Sequence, residues 1–111
     1  MKQRANYALL GCIFLAFGAS AQEAAVNITE PADNAKLDAK SKNMIVYEVT
    51  PGPKGDHTHL YVDGKEVAVL RQLKGTHALA LTPGNRELCI KVVNKGHTPI
   101  GVEKCIKVTV Q

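Results

Sequence analysis

Apolar and polar residues alternate with period two along most of this chain. Ile45, Tyr47 and Val49 fall on one face of residues 43–50, and Val46 and Glu48 on the other. Leu88, Ile90 and Val92 do the same in residues 86–93, and Ile106, Val108 and Val110 in residues 102–110. Such alternation marks half-buried strands, and no segment keeps a helical period. Strands are predicted over 24–29, 43–50, 58–62, 65–70, 77–81, 86–93 and 102–110. Turn residues separate them: Pro31-Ala32-Asp33-Asn34, Pro51-Gly52-Pro53, Asp63-Gly64 and Pro83-Gly84. Asp63-Gly64 between two apolar runs is a strong two-residue hairpin signal. The chain reads as an all-β, immunoglobulin-like sandwich of about seven antiparallel strands, with a small barrel as the alternative.

The start of the chain has a different pattern. Lys2 and Arg4 precede a mostly apolar run from Ala8 to Phe17, followed by Ala19-Ser20-Ala21. This is the layout of a signal peptide cleaved after Ala21. The run is too short for a membrane span, which needs about 20 apolar residues. Leu9-Leu10-Gly11-Cys12 weakly suggests a lipoprotein box, but the apolar run before Cys12 is very short and continues well past it. Residues 22–111 then form one exported domain, periplasmic or secreted, with no stable membrane span. Cleavage removes both Phe, and the chain has no Trp, so the core must be built from Val, Ile and Leu with Tyr47 and Tyr61. It also lowers Lys+Arg from 14 to 12 against 10 acids. The remaining lysines are scattered and argue against a nucleic-acid surface.

Two cysteines remain, and in an exported domain two cysteines read as one disulfide. A hairpin centred on His97 places Cys89 directly opposite Cys105, within bridging range. The same register sets Lys91 opposite Glu103 and Glu87 opposite Lys107, favourable cross-strand pairs. One register therefore accounts for core parity, bridge and charges together.

The candidate chemistry lies in four histidines. His57 and His59 share one face of residues 58–62 and its entry. His97 caps the last hairpin. His77 enters the strand predicted at 77–81. In a sandwich these segments meet at one end, so His57, His59, His77 and His97 form a candidate metal site, with Asp56 as a weaker oxygen donor. Neutral imidazole suits Cu(II), with Zn(II) as the alternative. A solvated strand face would also carry His57 and His59, and His77 shares parity with Leu79 and Leu81, toward the core. No nucleophile motif, phosphate loop or His-Glu-x-x-His helix is present, which points away from an enzyme.

The run His57-Thr58-His59-Leu60 ending in Asp63-Gly64, followed by Gly75-Thr76-His77, Pro83-Gly84, His97-Thr98-Pro99 and Val108-Thr109-Val110, resembles a family of small exported bacterial Ig-like β-domains of unknown function. The resemblance covers residues 55–110. It implies a secreted β-domain whose histidine positions coincide with His57, His59, His77 and His97, and it implies no activity. Arg86 stands where the family would have a further His, and Cys89 and Cys105 are not a family hallmark. Two functions follow: a metal-binding domain, copper first, that buffers or delivers its ion; or an interaction module that binds a protein, a glycan or the cell envelope through the same loops.

Overall fold

Among the described residues the alternation is realised as eight strands in two sheets. A computed structural model describes residues 22–111; the predicted signal peptide, its cleavage site and Cys12 lie outside the described residues. In chain order the strands are β1 (Ala25–Glu30), β2 (Ala35–Leu37), β3 (Asn43–Thr50), β4 (His57–Val62), β5 (Lys65–Leu70), β6 (Lys74–Leu79), β7 (Gly84–Val93) and β8 (Pro99–Val110). One sheet has the order β1-β3-β6 and the other β2-β8-β7-β4-β5. Among the described residues no helix is long and apolar enough to cross a membrane.

The two sheets enclose an aliphatic core. Ile45, Tyr47 and Val49 of β3 meet Leu60, Leu88, Ile90, Val92, Ile106 and Val108 from the larger sheet. Each of these strands puts alternate residues inward, as the sequence requires. The hairpin of β7 and β8 takes the expected register, with Glu87 opposite Lys107, Leu88 opposite Ile106, Cys89 opposite Cys105 and Lys91 opposite Glu103. Cys89 and Cys105 are bonded, with their Cα atoms 4.1 Å apart. Lys91 and Glu103 approach to 3.8 Å.

Three features depart from the expectation. The short strand β2 was not anticipated: it runs parallel to β8, Ala35 beside Val108 and Leu37 beside Val110. Three residues are too few to display a period, and parallel pairing has no local turn to announce it. The strand expected at 77–81 instead runs from Lys74 to Leu79, because Lys74 and Gly75 pair with Glu48 and Tyr47 of β3 rather than forming a turn. His77 is therefore in mid-strand, not at a strand entry. Finally, β8 begins at Pro99, and the register slips between Lys91 and Val93, so that Val93 faces Pro99. The extra residues lie on β8 around Gly101, whose φ of 90° suits glycine. The slip shortens the loop after β7 to residues 94–98.

Candidate metal centre

His57 opens β4, opposite Val93, and His59 lies opposite Lys91 on β7 and Val69 on β5. Both point to the outer face of the larger sheet, away from Leu60. Yet they are buried, at 1% and 3% exposure. That is not what two solvated strand residues would show.

The third ring comes from the loop. Asn94 organises it: its backbone N–H donates to the Thr98 carbonyl at 2.9 Å, its carbonyl accepts from His97 at 3.0 Å, and its Oδ1 accepts from the N–H groups of Gly96 and Thr98. His97 itself adopts φ 66°. The left-handed conformation is uncommon outside glycine, although His is among the residues that visit it. The tightened loop brings its imidazole against the other two.

The three rings converge at their nitrogens. His57 Nε2 is 3.2 Å from His59 Nε2 and 3.2 Å from His97 Nδ1; His59 Nε2 is 3.0 Å from His97 Nδ1. The ring planes are inclined at 38 to 74° rather than stacked. With metal–nitrogen bonds of about 2.0 Å, these separations subtend about 97 to 106° at an ion, near three vertices of a tetrahedron.

The opposite edges of two rings fix their tautomers. His57 Nδ1 lies 2.8 Å from Asp56 Oδ2, and His59 Nδ1 lies 3.1 Å from Glu66 Oε1. A carboxylate only accepts, so each Nδ1 carries the hydrogen and each neutral ring turns a lone pair on Nε2 toward the cluster. Two lone pairs thus face each other, with His97 Nδ1 beside both. A proton on one nitrogen satisfies part of this triangle; a metal ion satisfies all of it. A carboxylate behind a ligating imidazole is the usual support of a metal site. The hydrogen bond from His57 is also the main reason the Asp56 carboxyl is held below its ordinary range, with burial opposing and the charges of Arg71 and Lys95 assisting.

The sequence expectation needs two corrections. His77 does not join the cluster: it sits on β6 of the smaller sheet, opposite Ile45, and faces inward at the open edge of the sandwich beside Leu60, Val62 and Leu79. Its parity with Leu79 decided its direction. Asp56 is a support for His57 and not a donor to the same point. Glu66 was missed. Its signal was in the hairpin: a two-residue turn at Asp63-Gly64 sets Glu66 opposite Tyr61, on the face of His57 and His59. A bulge at Val67 keeps that placement while β5 resumes pairing with Leu60. A second group of possible ligands, Glu87, Cys89 and Cys105, offers no thiolate because its sulfurs are bonded to each other.

No family model matches the chain, and no curated protein matches it. Among solved structures, it is similar to the fibronectin(III)-like modules of Clostridium thermocellum CbhA, with a TM-score of 0.65, 16% identity, and 78% of this chain and 95% of that chain covered. A lytic polysaccharide monooxygenase of Jonesia denitrificans superposes with a TM-score of 0.48 and 18% identity, over 73% of this chain and 60% of that one. The first likeness shows the fold, a fibronectin III-like β-sandwich.

Proposed function

We propose that this is an exported domain that binds one transition-metal ion through His57, His59 and His97, and buffers or delivers it. The observation that carries the reading is the triangle of nitrogens at 3.0 to 3.2 Å, with the lone pairs of His57 and His59 turned inward by Asp56 and Glu66. Export rests on the pattern of residues 1–21.

Of the two ions suggested by the sequence, the geometry favours Zn(II). Three near-equal separations suit tetrahedral coordination. Cu(II) prefers a tetragonal set, in which two of three nitrogens stand across the ion, about 4 Å apart at usual bond lengths. Cu(II) is supported instead by its higher intrinsic affinity for nitrogen donors.

The test is a titration of the untagged protein with Zn(II) and with Cu(II), followed by calorimetry and metal analysis. One ion should bind per chain. His57→Ala and His97→Ala should each weaken binding at least about tenfold, because each removes one of the three donors of the cluster. Affinity should fall as the pH drops into the range where imidazole is protonated. Wild-type binding no tighter than that of the His57→Ala variant would sink the metal reading and leave the interaction module as the better account.

A further inference from the structure

We propose that the metal site keeps one coordination position open, and that this position takes a monodentate anion from outside the chain. The inference rests on the metal-binding reading above.

Four observations lead to it. First, among the described residues the cluster supplies three ligand atoms, His57, His59 and His97. Second, angles of about 97 to 106° between those donors leave the fourth vertex of a tetrahedron unfilled. Third, the two nearest carboxylates are already engaged: Asp56 holds His57 Nδ1 and Glu66 holds His59 Nδ1. Neither can swing onto the ion without releasing the ring it orients. Fourth, His57 and His59 are buried while His97 is exposed, so the remaining vertex is reached from the loop side.

Charge selects the class of ligand. Asp56 and Glu66 together offset the charge of a divalent ion. Arg71 Nη1 then stands 3.8 Å from Asp56 Oδ2, and Lys95 is exposed in the five-residue loop that carries His97. Lys91 lies beside His59 in the register but is paired with Glu103. Arg71 and Lys95 leave the approach to the ion cationic, which favours an anion over a neutral donor. Three histidines with a fourth open position form the arrangement of zinc sites that keep a place for water or an outside ligand, rather than that of closed structural ones.

The probe is azide, a monodentate anion, and the reporter is Co(II), which accepts tetrahedral coordination and absorbs visible light. The untagged protein is loaded with one Co(II) per chain and titrated with azide. A saturable change in the visible spectrum at one azide per Co(II), with the ion retained, is expected. Lys95→Glu should bind the same one Co(II) but hold azide about two- to threefold more weakly at low salt, with the difference shrinking as salt rises. Stoichiometric Co(II) whose spectrum is indifferent to azide would overturn the open position while leaving the metal site standing. Loss of the ion to azide would do the same. Equal azide affinity in wild type and Lys95→Glu would overturn the preference for an anion. Absence of Co(II) binding would remove the metal reading itself, and this inference with it.

Discussion

His59 Nε2 lies 3.0 Å from His97 Nδ1, although the two residues are 38 positions apart. The first belongs to the outer face of a central strand and the second to a five-residue loop closed by Asn94. Their contact puts a lid over what would otherwise be a solvated strand face, and explains how His57 and His59 can be buried outside the core. The fold of residues 94–98 back onto β4 thus both brings the third imidazole to the other two and helps to cover them.

Glu66 gives the sharpest test of the support behind the site. It touches His59 only through Nδ1, on the side away from the cluster. Glu66→Ala should reduce metal affinity about tenfold, the low end of the usual range for residues behind a ligand, since its carboxylate is half exposed. Calorimetry on the variant measures this. An effect as large as that of His57→Ala would instead make Glu66 a ligand.

His77→Ala should leave metal affinity within twofold of wild type, about 0.4 kcal/mol at most. The residue lies on the other sheet, in line with Ile45. The same titration decides it, and a large loss would return His77 to the ligand set.

The Cys89–Cys105 bridge closes a loop of 16 positions. The chain-entropy account gives about 3 kcal/mol for a loop near this length. The double variant Cys89→Ala/Cys105→Ala should therefore melt on the order of 10 to 20 °C lower by calorimetry. Because the bridge also ties the two strands that carry the His97 loop, the variant should bind metal more weakly at temperatures where it is still folded.

Asp63 provides the pH prediction. It sits in the hairpin turn with φ 51°. Its Oδ1 accepts from the Glu87 N–H at 2.9 Å and its Oδ2 accepts from Arg86 at 3.0 Å. The Glu87 N–H is the largest cause of its lowered pKa, with burial opposing and Arg86 assisting. A carboxyl whose pKa is lower folded than unfolded stabilises the fold above its unfolded pKa of about 3.9 and loses that contribution as pH falls through the folded value. Asp63→Asn keeps a residue that tolerates the left-handed turn. It should cost no more than about 1 kcal/mol at pH 7, since the pair is partly exposed. In denaturant melts the difference from wild type should narrow below pH 4 and vanish at lower pH.

Thr58 is almost fully buried, and its Oγ1 has no hydrogen-bond partner. Thr58→Val keeps the shape and removes the orphan hydroxyl, so it should raise stability by about 1 kcal/mol. A destabilised variant in urea melts would mean that the hydroxyl has a partner, such as an ordered water.

The sequence by itself determined what is local and periodic. Alternation chose the inward faces of β3, β7 and β8. Asp63-Gly64 fixed the β4–β5 turn. A single register of the last hairpin fixed Cys89 against Cys105 and Lys91 against Glu103, because cross-strand pairing is counted outward from a turn. It also placed His57 and His59 on one face and turned His77 to the other. Tertiary structure decided which histidines meet. That depended on the slip between Lys91 and Val93, on the left-handed backbone at His97 and on the Val67 bulge that leaves Glu66 beside His59. Each of these irregularities lies within a hairpin whose pairing is counted outward from a regular turn, so residue spacing carries no signal of where residues are inserted. Residue spacing is equally silent on β2, whose partner β8 lies some seventy positions away along the chain and joins it without a turn.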